Sequence, residues 1–237
     1  MSTVNHQLAE VLCGFWFKPE SNSWDSTCFG KFYDKILKLG FSEKQEQKAV
    51  QIKMEFKAIG GMPDPAPEMT EGDNRMIFRN PTNNSAIILS ANYLSFHKLP
   101  PYNGWDQLIS DIVNPGLAMY REIGLGNDLV QVQSLYLNRY NLRPEDKLSE
   151  IFSFLPATES FGIGFEHNLV FQSQYELSPN ITVNLKLNCN TNSLLNEKVA
   201  FLECTSFAKA MEKVDEAKLI KDAHDKTNLV FDNIIKK

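Results

Sequence analysis

The sequence has little that would mark a nucleic-acid-binding, membrane or secreted protein. Its 237 residues include 24 lysines and arginines against 29 aspartates and glutamates, which gives a net charge of −5. Binding to a phosphate backbone requires a cationic surface, so we expect no nucleic-acid partner. No apolar run approaches the roughly 18 residues of a membrane span. The first residues lack the basic and apolar segments of a signal peptide, so we expect neither membrane association nor secretion.

Catalytic motifs are missing as well. The glycine-rich segments Gly124–Gly126 and Gly162–Gly164 are too short to wrap a phosphate group. The sequence contains no G-x-S-x-G segment, which would place a nucleophilic serine on a sharp turn. These absences favour a protein without catalytic activity. We therefore expect no catalytic residue, no metal ion and no cofactor.

The cysteines indicate the cellular compartment. Cys13 and Cys28 lie 15 residues apart, and so do Cys189 and Cys204. Structural zinc sites use closely spaced pairs such as C-x-x-C, and no such pair is present. Scattered cysteines in predicted strands are typical of small buried side chains in a reducing compartment. We expect four free, buried cysteines and a cytoplasmic location.

Alternating apolar and polar residues predict half-buried strands at Val50–Ala58, Phe165–Tyr175 and Ile181–Cys189. Ser178–Asn180 is a turn signal between the last two strands, which predicts a hairpin. Clean alternation is typical of antiparallel sheets that bury one face. Weaker patterns predict five more strands: Glu10–Phe17, Arg75–Phe78, Ala86–Lys98, Leu129–Leu142 and Val199–Ala208.

Two of the weaker strands change their pattern midway. In Leu129–Leu142 the apolar side chains move from one face to the other, which predicts a β-bulge or a strong bend near Ser134. The segment Ala86–Lys98 shows the same change. We expect these long strands to curl around a helix or a cavity.

Helical segments alternate with the strands. We predict four helices: Phe29–Leu39, Trp105–Tyr120, Lys147–Phe154 and Leu219–Ile234. Gly40 should end the first helix, and Pro115 should kink or split the second because proline lacks the N–H group. The segment Gly60–Asn74 is rich in proline and glycine, which predicts a surface loop.

The element order predicts an α+β fold in a single domain over residues 1–237. We expect an antiparallel curved sheet, or sheets, with helices on one face. The order β-α-β-β-β-α occurs twice and breaks near Gly124–Asp128, which indicates an internal duplication with halves at about 5–124 and 128–237. The two halves either fuse into one curved sheet or pack side by side as four-stranded units. The two halves share no convincing residue identity, so the duplication concerns element order alone.

A candidate binding surface combines Trp105, Tyr136, Asn138 and Arg139. Aromatic and arginine side chains dominate the energetics of recognition. A purely structural role for Trp105 is the alternative interpretation: Gly104 would permit a turn, and the indole would pack the helix start against the sheet.

Four short segments, in their order and spacing, resemble an uncharacterised prokaryotic family. Its members are single-domain proteins of similar length, sporadically distributed and known chiefly by a family number. The segments are Leu8–Val11, Tyr102–Asp106, Tyr136–Arg139 and Leu219–Ile234. At the third segment the family pattern begins with an arginine, where this chain has Leu135. Glu10 and His224 match family positions as well, and the resemblance implies that they take part in a buried or interfacial hydrogen-bonded pair.

The resemblance implies no established activity, but patchy distribution is typical of genes in mobile or antiviral-defence neighbourhoods. We therefore expect a non-catalytic binding protein that recognises a protein partner, or a second copy of itself. It would act as an antitoxin-, immunity- or sensor-like component of a prokaryotic defence or stress module. The first alternative is a sensor of a small ligand or nucleotide, with a pocket between the sheet and the helices lined by Asn and Gln side chains and Arg139. The second alternative is a metal-dependent nuclease or hydrolase, for which Glu55, Asp64, His224 or Asp225 would have to cluster.

Overall fold

The structure is a computed structural model that describes residues 6–18, 24–47, 50–53, 68–71, 74–156, 168–192, 197–211 and 215–235. Within these residues the strands are β1 (His6–Phe17), β2 (Glu43–Gln47), β3 (Val50–Lys53), β4 (Glu68–Glu71), β5 (Arg75–Asn80), β6 (Ser85–Leu89), β7 (Tyr93–Lys98), β8 (Leu129–Leu142), β9 (Asn168–Ser178), β10 (Ile181–Asn192) and β11 (Glu197–Lys209). The helices are α1 (Thr27–Ile36), α2 (Trp105–Leu108), α3 (Asn114–Glu122), α4 (Leu148–Ile151) and α5 (Glu216–Ile234).

Nine of the described strands form one open antiparallel sheet. Their order is β2-β5-β6-β7-β1-β8-β11-β10-β9, and β3 pairs with β4 separately. The cross-strand register places Val11 of β1, Tyr136 of β8 and Cys204 of β11 side by side on one face of the sheet. The fold is therefore α+β with a curved antiparallel sheet, as the alternating sequence patterns predict.

The helices cover one face of this sheet in two apolar clusters. The larger cluster joins α1, α2, α3 and the start of α5 to the first half of the sheet, with Phe15, Phe32 and Leu117 buried in it. The smaller cluster joins α4 and the end of α5 to β8, β10 and β11, around Phe152 and Leu185. This arrangement confirms the prediction of helices on one face. The opposite face is called the open face below.

The strand order is symmetric about the central pair of β1 and β8. On one side it runs β1-β7-β6-β5, and on the other β8-β11-β10-β9. Both predicted halves thus contribute to one sheet, not to two units side by side. The first half also contains β2, β3 and β4, which the predicted element order does not match. The internal duplication itself stays a prediction.

The segment predicted as one strand over Ala86–Lys98 is a hairpin of two strands, β6 and β7. The chain reverses between them, where the backbone N–H of Ser90 donates to the carbonyl of Tyr93 at 2.8 Å. The change of pattern in this sequence is therefore caused by a turn, and the prediction of a continuous strand is wrong.

The predicted bulge near Ser134 is also wrong. Strand β8 keeps its register with β1 and β11 through this buried serine. Two register shifts lie elsewhere: one between Leu8 and Glu10 of β1, and one between Trp16 and Phe17, where the pairing skips Val130 of β8. The sequence pattern misleads because Leu135 and Leu137 place apolar side chains on the open face, so both faces of this strand are partly apolar.

Four other segments test the predicted strands and loops. Of the strand predicted at Val50–Ala58, the structure describes β3 up to Lys53, and the rest lies outside the described residues. The predicted loop Gly60–Asn74 contains the strand β4, so the prediction of a loop is wrong for these four residues. Residues 60–67 and 72–73 are outside the described part. The strand β2 has no counterpart in the sequence prediction because every residue in Glu43–Gln47 is polar and exposed. The predicted β9–β10 hairpin is confirmed.

The helix predicted at Trp105–Tyr120 is interrupted close to Pro115. A π-helical segment, Ile109–Val113, joins α2 to α3, and Pro115 is the second residue of α3. A proline has no N–H group for the hydrogen bond of a regular helix, and single π-turns commonly absorb such irregularities. The predicted interruption is thus observed as a change in helix type.

The four cysteines are buried and form no disulfide, as predicted. Among the residues that the structure describes, no helix is long and apolar enough to cross a membrane. The cytoplasmic location stays a prediction.

Candidate functional site

Two of the predicted binding residues, Trp105 and Tyr136, meet between the helices and the sheet. Gly104, which precedes α2, has a φ of 114°, a backbone conformation that glycine adopts far more readily than other residues. This turn directs Trp105 onto the sheet, where its side chain is only 9% exposed. The indole stacks on the imidazole of His224 from α5, with ring centroids 4.3 Å apart and planes at 2°. The ring of Tyr136 lies 6.3 Å from that of Trp105.

A chain of hydrogen bonds runs through this cluster from α5 to the loop before α2. The amide Nδ2 of Asn228 donates to Nε2 of His224 at 3.1 Å. A neutral imidazole then carries its proton on Nδ1, which donates to the hydroxyl of Tyr136 at 3.1 Å. The hydroxyls of Tyr136 and Tyr102 are 3.2 Å apart, and either of them can be the donor. Because Tyr136 already accepts a hydrogen bond from His224, we assign the proton of Tyr136 to the bond with Tyr102. In this assignment the Tyr102 hydroxyl can donate its own proton to an acceptor outside this chain of four residues.

Burial sets the protonation states along this chain. It lowers the pKa of His224, although the nearby carboxylates of Asp106 and Asp225 act in the opposite direction. Burial also raises the pKa of Tyr136, and the hydrogen bond that Tyr136 donates to Tyr102 raises it further. The imidazole is therefore neutral and the phenols are protonated near neutral pH, as the direction of the hydrogen bonds requires.

A cavity of about 150 Å³ lies next to Tyr102, at the start of α2. Its polar lining comes from both the sheet and the helices: Asn83, Lys98, Tyr102, Asn103, Gln107 and Asp111. The Lys98 ammonium donates to the carbonyl oxygen of Asn83 and has no carboxylate partner among the described residues. Burial lowers the pKa of Lys98. The cavity thus contains a partly desolvated ammonium group, and among the described residues this group forms no ion pair.

A wider groove, of about 390 Å³, lies on the other side of the aromatic cluster. It separates the first helical residues from α5, and its lining includes Trp105, Asp106, His224 and Asp225. Lys221 also lines the groove and forms an ion pair with Asp225. The hydrogen-bond chain described above therefore connects the cavity at Tyr102 with the groove at His224.

The other two predicted binding residues lie elsewhere. Asn138 is on the same face of β8 as Tyr136 but is only 4% exposed. Arg139 is exposed on the open face, where its Nε donates to Oδ1 of Asn141 at 3.1 Å. Neighbouring residues in a strand point to opposite faces, so the four predicted residues do not form one surface. Their roles in binding stay predictions.

The resemblance implies a hydrogen-bonded pair that involves Glu10 and His224, and the structure gives each of them a different partner. Glu10 lies on the open face, where its Oε1 is 2.5 Å from Nδ1 of His97. His224 lies under the helices and contacts Tyr136. The sheet itself separates the two residues.

On the open face, Ser95, His97 and Glu10 have the atom order of a serine-hydrolase triad. The Ser95 Oγ is 2.8 Å from Nε2 of His97, and Nδ1 of His97 faces Glu10. Ser95 is fully buried at the centre of the sheet, where a substrate cannot reach its oxygen. The surrounding backbone N–H groups are paired in the β-ladder, so they offer no oxyanion hole. The arrangement orders the open face and does not constitute a catalytic site.

Metal-dependent chemistry also finds no support in the described part of the chain. Glu55 and Asp64, two of the four residues considered for a metal cluster, lie outside that part. Among the residues described, no group of three or more His, Cys, Asp or Glu side chains is placed to hold a metal ion. The nuclease or hydrolase alternative stays a prediction.

The sequence analysis did not identify Tyr102, Asn228 and Lys98 as site residues. Tyr102 belongs to the segment Tyr102–Asp106, which carries part of the family resemblance. Asn228 follows His224 by one helical turn, which places these two residues on one face of α5. Lys98 carries no sequence signal, because it meets the other cavity residues only through the fold. Comparisons with protein-family models, with curated proteins and with solved structures find no match for this chain. Membership of the family that the four segments resemble therefore stays a prediction.

Proposed function

We propose that this protein binds a small ligand with an anionic, hydrogen-bond-accepting group in the cavity beside Tyr102. The observation that carries the proposal is the ammonium group of Lys98, which lines the cavity and has no carboxylate partner among the described residues. A partly desolvated ammonium group that forms no ion pair is unfavourable, and an anionic ligand would offset that cost. The protein would act as a non-catalytic sensor.

The hydrogen-bond chain favours an acceptor group on the ligand. With the donors assigned from Asn228 through His224 and Tyr136 towards Tyr102, the Tyr102 hydroxyl has its own proton to donate. A carboxylate or phosphate oxygen accepts such a proton, and hydrogen bonds to charged groups are about twice as strong as neutral ones. A carboxylate between Lys98 and Tyr102 fits both donors.

The carboxylate of Asp111 restricts the ligand further. Asp111 lines the same cavity, and it disfavours a second negative charge while favouring a hydrogen-bond donor. A small zwitterion, with a carboxylate towards Lys98 and an ammonium group towards Asp111, matches both charges. Ligand contact at Tyr102 would alter the hydrogen bond to Tyr136, which supports a path from the cavity to His224 and the groove on the other side.

The second candidate function is the recognition of a protein partner in a defence or stress module. The residues predicted for that surface do not lie together, so they give it no support. Two of its four residues, Trp105 and Asn138, are buried, and Arg139 faces the other way. The cavity therefore gives stronger support to the sensor alternative. Its polar lining contains Lys98 where the sequence analysis expected Arg139.

A thermal-shift and calorimetric series tests the proposal, with glycine, acetate and inorganic phosphate as probes and chloride at matched ionic strength as reference. We expect glycine to stabilise the protein most, because its carboxylate and its ammonium group match Lys98 and Asp111. A ligand at 100 times its Kd adds about 2.7 kcal/mol to the free energy of unfolding. Lys98→Met and Tyr102→Phe should abolish the shift, and Asp111→Asn should remove the preference for glycine over acetate. Lys209→Met, at an exposed lysine outside the cavity, is the matched control.

Two results would contradict the proposal. One is the absence of a stabilising shift with any of the three probes. The other is a shift of equal size in wild type and in Lys98→Met, since the ion would then bind elsewhere on the surface.

A further inference from the structure

The two edge strands of the nine-stranded sheet differ in their protection against pairing with another chain. The edge strand β2 carries Glu43, Lys44 and Glu46 among five exposed residues, and such charges are the usual protection of a free edge. The edge strand β9 is longer, with 11 residues, and contains neither lysine nor proline. Its side chains include Val170, which is 73% exposed, and Tyr175, which is 42% exposed. Only β9 therefore has the character of an interface.

The sequence of β9 is nearly palindromic about Ser173. Gln172 and Gln174 flank this serine, and the aromatic residues Phe171 and Tyr175 come next on either side. An antiparallel pairing of two identical strands about a two-fold axis places each residue opposite its counterpart across the centre. A palindrome is the pattern that makes such a pairing self-complementary.

We propose that β9 pairs antiparallel with β9 of a second copy of this chain, with the two-fold axis at Ser173. In this register Phe171 lies opposite Tyr175 of the second copy, on the helix-covered face. Gln172 lies opposite Gln174 of the second copy, on the open face. Directly opposed aromatic pairs stabilise antiparallel sheets, whereas opposed like charges destabilise them.

The distribution of charge in β9 is compatible with the same register. Glu176 is the only charged residue of β9, and it lies opposite Val170 of the second copy, so no two carboxylates face each other. A one-residue slip would join the helix-covered face of one copy to the open face of the other. The dimer would therefore keep the helices of both copies on the same side of one continuous sheet.

Ser173 provides an independent observation at the proposed axis. Its hydroxyl is buried and has no hydrogen-bond partner among the described residues. Directly opposed residues in an antiparallel pair have Cβ atoms about 4.5–5.5 Å apart, so a change of the Ser173 rotamer would let the two hydroxyls bond to each other across the axis. The dimer thus satisfies a polar group that is unpaired within one chain.

Two double variants test the register through charge, with molar mass measured by light scattering and sedimentation over a range of concentrations. Gln172→Glu with Gln174→Glu places two pairs of carboxylates opposite each other across the axis, and we expect a monomer. Gln172→Glu with Gln174→Lys places opposite charges there, and we expect the dimer to persist. Within the chain, Gln172 lies opposite Lys186 and Gln174 lies opposite Asn184, so both variants should fold, as circular dichroism can verify.

Crosslinking tests the position of the axis. Ser173→Cys should form a disulfide-linked dimer under mild oxidation, because the two introduced thiols are directly opposed. Gln172→Cys is the control and should crosslink at least tenfold more slowly, since its counterpart lies beyond the axis; the native cysteines are buried. A monomeric wild type overturns the proposal, as does a dimer that is equally stable in both charge variants. Neither outcome depends on the ligand proposed for the cavity.

Discussion

The indole of Trp105 and the imidazole of His224 lie parallel, with 4.3 Å between the ring centroids. This stack joins α2 to α5 across the helix-covered face and shields one side of the imidazole from water. The hydroxyl of Tyr136 holds the ring edge through Nδ1, so the position of His224 is fixed from two directions. The stack thus adds a helix-to-helix contact between the two halves of the chain, which β1 and β8 also join.

The variant Trp105→Ala tests the energetic weight of this stack. We expect it to lower the free energy of unfolding by about 3–5 kcal/mol, the usual range for removal of a large buried aromatic side chain. Trp105→Phe keeps an aromatic ring and should cost less. Urea denaturation followed by circular dichroism measures both. Trp24→Ala, at a tryptophan that is only partly buried, is the control, and an equal loss there would contradict the assignment.

A pH dependence follows from the burial of His224. Because its pKa is lowered in the folded protein, the unfolded chain binds the proton more readily. The free energy of unfolding should therefore fall as the pH decreases below the ordinary histidine value of 6.5, and this loss ends below the pKa of the folded protein. His224→Gln removes the titration. The difference in stability between wild type and this variant should shrink from pH 8 to pH 5.

The carboxylate of Asp225 provides a control for this pH effect. It raises the pKa of His224 and so opposes burial. Asp225→Asn should make the loss of stability towards low pH steeper than in wild type. A wild-type-to-His224→Gln difference that stays constant with pH would show that burial does not govern this imidazole.

The variant Tyr136→Phe tests the hydrogen-bond chain. Loss of the hydroxyl leaves Nδ1 of His224 without an acceptor and removes the donor to Tyr102. An unsatisfied buried polar group costs about 1–3 kcal/mol, and we expect a loss in this range from urea denaturation. In the control Tyr33→Phe, the lost hydroxyl donates to the carbonyl of Ser42 at an exposed position, where water can replace it. Equal losses would contradict the chain.

The sequence predicts those strands whose two faces differ in polarity. The hairpin of β9 and β10 is an example, because one face is apolar and the other carries amides. Strand β2 escapes detection because both of its faces are polar. The hairpin at Ala86–Lys98 resembles one long strand because its turn, at residues 90–92, contains neither glycine nor proline.

The candidate site divides in the same way. The aromatic character of Trp105 and Tyr136 indicates that they take part in a cluster, and strand alternation alone separates Asn138 from Arg139. The cavity could not be predicted, because Lys98 reaches it from β7 and Asn83 from the turn before β6. Such residues share no spacing in the sequence, and only the sheet order brings them together.

Close packing between a helix and the sheet gives the last prediction. A Cβ atom at Gly116 of α3 would overlap Cε1 of Phe96, a fully buried ring of β7. Gly116→Ala should therefore lower the free energy of unfolding by about 1–3 kcal/mol, the usual cost of overpacking a core. Gly30 of α1 has no atom within 4 Å of the added Cβ, and Gly30→Ala should stabilise the helix by roughly 0.5–1 kcal/mol.

A double-mutant cycle identifies the cause of the loss at Gly116. Phe96→Leu shortens the ring side chain that the new methyl group would meet, so the alanine at position 116 should cost less in that background than in wild type. Contacting residues show such non-additivity, typically 0.5–3 kcal/mol. Strict additivity would place the strain elsewhere, and a stabilising Gly116→Ala would mean that α3 does not approach β7 this closely.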